Sequence, residues 1–341
     1  GLANGKGVFI PHSLNDSIKY LNTIYNENEH EKIIIEDKVY GIEVSVMGFC
    51  NGKDIELMPQ VQDYKKIYDD DKGENTGGMG SICPVNILSK IELESVKNDM
   101  LKVVKQHNYI GVLYAGIMKT KDSYSILEFN CRFGDPETQV VLNLLKNDLY
   151  DIMMDCINGE NIKLEWKEGY CANVVLSHID YPFSKLKNPI LISKKNIDKD
   201  IKLYNGNISI KDNLHYTTGG RVYSMTHFSN NLQFSLEKIY NNIHKIEYEG
   251  LYYRRDIGLN YLLNNSNNKK LKIGIISSSR GTSIQKLLEK QKELNVKVEL
   301  IISNKNSLIL EKGKEHKIDT FYLPNNNYKK MINLIDIYEL D

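Results

Sequence analysis

Glu128-Phe129-Asn130-Cys131-Arg132-Phe133-Gly134-Asp135-Pro136-Glu137-Thr138 is the stretch from which the rest of the chain is read. It closes a predicted strand over 124–130 and opens a helical spacing of apolar residues: Val140, Val141, Leu144, Leu145, Leu149, Ile152 and Met153. Pro136 suits the first turn of that helix, and Gly159 its stop. Side chains alternate along a strand, so Glu128 and Asn130 point to one face and Phe129 to the other, apolar one. A carboxylate and an amide oxygen two residues apart suit a hard divalent cation bridging nucleotide phosphates. Magnesium takes few protein ligands and completes its shell with phosphate and water. Arg132, Asp135 and Glu137 then crowd the N–H-rich start of a helix, a density of charge better explained by a ligand than by stability. The competing reading of an isolated E-x-N is a carboxylate on a solvated strand face.

Outward from this stretch the chain alternates strands and helices. A strand over 110–119 precedes the polar turn Lys121-Asp122-Ser123. A helix is predicted from Ser89, with Glu92 completing a capping box and Ile91, Val96, Met100 and Val103 or Val104 on one face. Strands are predicted at 32–36 and 42–49, and Asn51-Gly52 is a hairpin turn returning through 54–58. From about 166 the pattern shifts to shorter β runs, 172–177 and 220–225, followed by a helix over 232–246. The polar run 264–270 is a linker. After it comes a β-loop-α-β-α series at 272–277, 282–294, 297–303 and 306–316, which implies a doubly wound parallel sheet. The expected division is 1–165, 166–263, a linker 264–270, and a short unit 271–341 whose uncovered strand edge leaves it poorly ordered or packed on its neighbour.

Composition limits the choices. The 341 residues are 41% hydrophobic and 26% charged, and Lys+Arg 44 cancels Asp+Glu 44. No overall field favours nucleic acid or an anionic membrane, so any phosphate site is local. No run approaches the length of a membrane span, and no export signal opens the chain. Five scattered cysteines, none spaced C-x-x-C, argue against a disulfide scaffold or structural zinc and for a reducing cytoplasm. A start at Gly1 suggests a fragment.

Two glycine-rich segments and two cations complete the inventory. In 1–7, Gly5 and Gly7 let backbone N–H groups approach phosphate and Lys6 adds a point charge. The spacing is not that of a Walker A loop, and a plain flexible turn is the alternative. Asn75-Thr76-Gly77-Gly78-Met79-Gly80 reads as a loop closing over a substrate, or else as a surface loop beside the acidic run Asp69-Asp70-Asp71. Thr218-Gly219-Gly220-Arg221 and Tyr253-Arg254-Arg255-Asp256 each offer a cation for phosphate or carboxylate, or for a surface ion pair.

Seven segments in order resemble one family, phosphoribosylamine–glycine ligase, an ATP-grasp enzyme of purine biosynthesis. They are G-L-A-N-G-K-G-V (1–8), Q-D-Y-K (62–65), N-T-G-G-M-G (75–80), G-V-L-Y-A-G (111–116), the run 128–142, T-G-G-R-V (218–222) and Y-R-R-D-I-G (253–258). The resemblance covers roughly 1–263. It implies a chain of α/β and α+β class: an ATP-grasp domain of mostly antiparallel sheets with helices, then a small β-rich ligase C-terminal domain. It also implies ATP, with Mg2+ or Mn2+, ligating glycine to phosphoribosylamine through a glycyl phosphate. Carried over, Glu128 and Asn130 are the metal ligands, Gly5, Lys6 and Gly7 cover the phosphates, and Glu36 and Glu43 flank adenine and ribose. Asp63, Lys65, Asn75, Thr76, Gly77, Gly78 and Asp135 serve the sugar-phosphate and glycine end, and Arg132 stabilises the transferring phosphoryl group. Lys38 and Ile42 depart from the family's adenine-side pattern, and set against the resemblance the sequence is expected to start inside the ATP-grasp region, after the family's amino-terminal domain. The other readings are a non-catalytic nucleotide-binding remnant and a ligase for a different acid.

Residues 271–323 resemble the start of phosphoribosylglycinamide formyltransferase, with Gly281, Thr282 and Ser283 at its phosphate loop, so this part is expected to be a truncated doubly wound unit. The catalytic set of that family would lie beyond Asp341, so formyl transfer by this chain alone is not expected. Other purine-pathway domains are expected in the same parent chain, as in a bifunctional ligase and formyltransferase, although no aminoimidazole ribonucleotide synthetase domain lies between the two parts.

Overall fold

The computed structural model describes residues 9–11, 13–27, 33–183, 186–265, 271–277, 282–291, 294, 296–324 and 328–338. Two units emerge, Gly1–Leu259 and Asn260–Asp341. The first begins with α1 (Leu14–Glu27), β1 (Ile42–Asn51), β2 (Ile55–Leu57) and β3 (Gln62–Asp63). The hairpin β4 (Lys66–Tyr68) and β5 (Lys72–Asn75) leads to β6 (Gly80–Cys83), α2 (Lys90–His107), β7 (Ile110–Lys119) and β8 (Tyr124–Asn130). Helices α3 (Glu137–Leu144) and α4 (Leu149–Asn158) precede β9 (Tyr170–His178), β10 (Ile190–Lys194) and β11 (Lys202–Asn205). Then come β12 (Ile208–Lys211), β13 (Leu214–Thr217), β14 (Arg221–Ser229), α5 (Leu232–Ile243), β15 (Ile246–Glu247) and β16 (Leu251–Tyr252), and the unit ends at the first residue of α6 (Leu259–Asn265).

Three antiparallel sheets carry this unit, with strand orders β2-β1-β7-β8, β11-β14-β9-β6-β3 and β12-β13-β10-β15; β16 adds to β9. The central strands β1 and β7 of the first sheet are buried along most of their length, with cover on both sides. Helix α2 packs against β2 and β7 and buries Val96, Met100 and Val104. The opposite face gives Met47, Phe49 and Val112 to a cluster with Val140, Val141 and Leu144 of α3 and Ile152 of α4. Burying each such side chain contributes roughly 1.5–3 kcal/mol.

Several expectations meet the structure directly. Strands β7 and β8 have the predicted bounds, and Ser89 caps α2 with the full box to Glu92. Ile91, however, is exposed, since the buried stripe runs through Val96, Met100 and Val104 at four-residue steps and Ile91 lies off it. In the first hairpin only Gly52 takes positive φ (86°); Asn51 stays in β1 and its Oδ1 accepts from the Lys53 and Asp54 amides. The predicted strand at 32–36 is not one. Residues 33–40 form no regular element and pair with no strand among the described residues, and Ile34 and Ile35 are exposed. The single helix expected from Pro136 to Gly159 is two. Leu145 is extended and bridges Trp166, Lys146 and Lys167 exchange backbone bonds with Glu165 and Leu144, and Asp148 caps a new helix. Gly159 does end it, in the left-handed region.

The second unit alternates β17 (Leu271–Ile276), α7 (Thr282–Glu289), β18 (Val296–Ser303), α8 (Leu308–Glu315), β19 (Asp319–Tyr322) and α9 (Tyr328–Ile337). The sheet is parallel in the order β17-β18-β19. Leu288 of α7 and Ile309 and Leu310 of α8 pack with Val298 and Ile301 on one face. Leu334 of α9 packs with Leu300 and Ile302 on the other. Helices on both faces make it doubly wound, one strand and one helix longer than the sequence reading. Among the described residues no helix is long and apolar enough to cross a membrane.

Candidate active site

One face of the β2-β1-β7-β8 sheet changes character along its length. Register sets Phe49 opposite Val112, Met47 opposite Tyr114 and Ser45 opposite Gly116, and then Tyr114 opposite Asn130 and Gly116 opposite Glu128. Paired residues share a face, so the apolar half under α3 continues into a polar half of Glu43, Ser45, Glu128 and Asn130. Gly116 leaves the room this needs. A Cβ there would stand 3.3 Å from Glu128 Cγ and 3.6 Å from Tyr114 Cε1. Asn130 Nδ2 donates to Glu128 Oε1 at 3.1 Å, so carboxylate and amide converge. Turning that amide over would offer two hard oxygens to one cation, a donor set suited to magnesium or manganese and not to a soft metal. Among the described residues no group of three or more His, Cys, Asp or Glu could hold a metal, so any cation here relies on this pair and on its own ligands. Phe129 does turn away, but on the edge strand it stays 39% exposed.

Beside this face lies a compact set of charges. Lys65 Nζ pairs with Glu43, although the family resemblance assigns those two residues to opposite ends of the cleft. Ser45 Oγ lies 2.9 Å from Tyr114 Oη and donates to Glu137 Oε1 at 2.9 Å. Glu137 is 2% exposed, folded back over Gly134 at the start of α3. Asp63 is buried and its Oδ1 has no hydrogen-bond partner. Burial first, and then the Glu137 carboxylate, push the Asp63 carboxyl well above the ordinary range, against the pull of Lys65 and Arg221. Burial works against the Lys65 charge, but Tyr114, Glu43 and Asp63 hold its pKa above the usual value. Burial and Glu137 likewise raise the Tyr114 phenol.

The glycine loop, expected from the sequence to close over a substrate, is held by a set of hydrogen bonds. Thr76 N and Oγ1 both donate to Lys65 O, at 2.7 and 2.8 Å. Gly77 N donates to Tyr181 Oη (2.8 Å), Gly78 N to Thr76 Oγ1 (2.9 Å) and Met79 N to Tyr64 O (2.8 Å). Arg221 donates to Gly77 O at 2.8 Å, to Asp135 O at 2.7 Å and to Asp135 Oδ2 at 2.7 Å. The loop that starts at Asn75, the Asp135 turn and the start of β14 are thus tied together. Arg132 is exposed and donates to its neighbour Phe133 O. Glu36 sits in the exposed segment 33–40. Gly5, Lys6, Gly7 and Gly281 lie outside the described residues, and Thr282 and Ser283 begin α7. Sequence reasoning missed Ser45, Tyr114 and Tyr181. Ser45 is a small polar residue inside an otherwise apolar strand, and Tyr114 stands two residues before a glycine, which in hindsight were the available signals.

The antiparallel sheets with flanking helices in the first unit are found in known proteins. The biotin carboxylase domain of a thermophilic 2-oxoglutarate carboxylase aligns with a TM-score of 0.52 at 11% identity, over 75% of this chain and 58% of that one, a likeness of fold alone. Residues 1–138 match the phosphoribosylglycinamide synthetase ATP-grasp (A) domain. The first unit therefore carries the ATP-grasp fold. Residues 171–260 match the phosphoribosylglycinamide synthetase C domain, which narrows the assignment. The chain is homologous to phosphoribosylamine–glycine ligase. It is 38% identical to that ligase from Caldanaerobacter subterraneus over 273 residues, covering 76% of this chain and 65% of the relative. The crystal structure of the Thermotoga maritima ligase aligns with a TM-score of 0.66 at 32% identity, over 75% of this chain and 66% of that one. The human trifunctional purine biosynthetic protein adenosine-3 is 36% identical over 273 residues, 76% of this chain and 27% of that protein. The chain thus spans somewhat less than two thirds of the single-function ligase relatives.

Proposed function

We propose that the protein containing this chain joins glycine to 5-phosphoribosylamine in the cytoplasm, with ATP as the phosphoryl donor, forming glycinamide ribonucleotide, ADP and phosphate. The observation that carries the reading is the single sheet face on which Glu128, Asn130, Tyr114 and Glu43 meet, with Lys65 paired to it. Such chemistry depends on positioning and on neutralising phosphate charge, for which fixed side chains on strands are suited. In this reading Glu128 and Asn130 hold Mg2+ or Mn2+, which when bound supplies charge neutralisation to the triphosphate. Glu36 and Glu43 serve the nucleotide, Gly5, Lys6 and Gly7 cover its phosphates, and Arg132 supplies a cation to the transferring group. Asp63, Lys65, Asp135 and the loop Asn75, Thr76, Gly77 and Gly78 line the substrate end, where the pinned backbone gives a preformed wall. Residues 271–341 would be the start of a formyltransferase-type unit with Gly281, Thr282 and Ser283 at a phosphate, a reading that rests on the parallel doubly wound order of the second unit and on the sequence resemblance.

The test measures ADP release by the protein with each substrate omitted in turn. Release is expected only with magnesium, glycine and phosphoribosylamine all present, and Glu128→Gln should lower it at least about 100-fold. Equal ADP release without glycine or without phosphoribosylamine would defeat the assignment.

A further inference from the structure

We propose that Arg221 and Tyr181 are positioning residues for the substrate end of the site, the single guanidinium of Arg221 setting the spacing between the glycine loop and the Asp135 turn. Gly77 is gripped at both of its polar atoms. Its N–H donates to Tyr181 Oη at 2.8 Å, and its carbonyl accepts from Arg221 Nη1 at 2.8 Å. A Cβ on Gly77 would stand 3.1 Å from Tyr181 Oη and 3.1 Å from Arg221 Nη2, so the two side chains also fill the space beside it. The neighbouring amides are committed as well: Thr76 N to Lys65 O, Gly78 N to Thr76 Oγ1 and Met79 N to Tyr64 O. With these N–H groups used inside the protein, the loop acts on a ligand through its shape, and that shape is what Arg221 and Tyr181 hold.

The same guanidinium reaches the second segment. Nη1 donates to Asp135 O and Nη2 to Asp135 Oδ2, both at 2.7 Å. Asp135 Oδ1 accepts from Gln139 Nε2 of α3 at 2.8 Å, so the turn is held by β14 and by its own helix together. The Arg221 side chain is only 24% exposed, and water competes less for its bonds there than at an open surface. A planar fork of donors serves acceptors on two chain segments at once, whereas a lysine ammonium is a point charge on a flexible stem and cannot keep all of them. Among the described residues these bonds run to Gly77, Gly78 and Asp135, while Glu128 and Asn130 are joined to one another. Loss of Arg221 should therefore disturb the substrate end and spare the cation end.

This inference rests on the ligase reading for what the substrate end binds, but its first test reads the loop directly, so the two can fail separately. Amide hydrogen exchange of the whole chain is followed at residues 76–79, with residues 112–117 of β7 as the internal reference. Arg221→Lys is expected to raise exchange at 76–79 about tenfold and to leave the reference unchanged. Tyr181→Phe, which removes only the acceptor of Gly77 N, should raise exchange at Gly77 about threefold, and it decides the matter should Arg221→Lys fail to fold. In the ADP-release assay, Arg221→Lys should raise the KM for glycine or for phosphoribosylamine about tenfold and keep the KM for ATP within about twofold. Unchanged exchange at 76–79 would overturn the proposal, as would a parallel rise in the reference, which signifies general loosening. An equal rise in the KM for ATP would overturn it too. A protein with no ADP release under any combination of substrates would sink the ligase reading alone, and exchange would still decide the role of Arg221 and Tyr181.

Discussion

At the scale of single residues, two positions show how burial decides what a side chain is for. Arg254 reads in the sequence as a cation for a ligand or a surface ion pair, yet it is fully buried. Its guanidinium meets Asp256 at 2.7 Å, Asp71 at 2.9 Å and Lys66 O at 3.1 Å, and lies 5.2 Å from the Tyr64 ring centre. Asp70 and Asp71 hold positive φ (60° and 51°), a conformation that costs energy and that these contacts secure. Arg254→Met would leave buried carboxylate charge uncompensated and should lower stability by about 3–5 kcal/mol in urea titration. Gly78 is the second position. Its φ is 112°, and a Cβ there would lie 2.3 Å from Pro136 Cδ and 2.7 Å from Asp63 Oδ1. Gly78→Ala should cost about 1–3 kcal/mol in the same titration.

At the scale of elements, α2 is the cleanest case of sequence dictating structure. Ser89 accepts from Glu92 N, and the Glu92 carboxylate accepts in return from Ser89 N at 3.0 Å. Ser89→Ala should cost about 1 kcal/mol by thermal melt. Lys119 and Ser89 hold the Glu92 carboxyl down at about 2, against an ordinary value of 4.5. A depressed carboxyl stabilises the fold above its unfolded value and stops doing so as pH falls through the folded one. The contribution of Glu92 should therefore disappear between about 4.5 and about 2, and Glu92→Gln should flatten the melting profile over that window. Elements of this kind were legible because their signals are local: the cap of α2, the alternation of β7 and β8, and the turn at Gly52. The break after α3 was not, because Leu145 is made extended by Trp166, a residue distant in sequence. Residues 33–40 have strand composition but no ladder among the described residues, and composition cannot report a missing partner. The same limit applied to the candidate site. Glu128, Asn130 and Lys65 stand out by type and spacing, whereas Tyr181 and Arg221 reach the glycine loop only through the tertiary fold.

At the scale of the molecule, the two matched segments of the first unit share one sheet. Strands β3 and β6 come from residues 1–138, and β9, β14 and β11 from residues 171–260, in the order β11-β14-β9-β6-β3. Arg221 and Tyr181, both from the later segment, hold Gly77 of the earlier one. A boundary drawn from motifs near 165 therefore falls between segments that complete one another physically. Ile82 of β6 and Val174 and Val175 of β9 are fully buried, and their burial contributes roughly 1.5–3 kcal/mol each. Three such side chains amount to about 5–9 kcal/mol, comparable to the whole stability of an ordinary domain at about 5–15 kcal/mol. Residues 1–165 expressed alone would also leave β6 as an open strand edge. That fragment should show no cooperative melt and should aggregate, while residues 1–265 should melt in one transition with β9 restored. Calorimetry on the two fragments decides the matter. A cooperative transition in 1–165 would mean that the shared sheet is an accessory to the earlier segment's fold and that Gly77 and Asp63 are positioned without it.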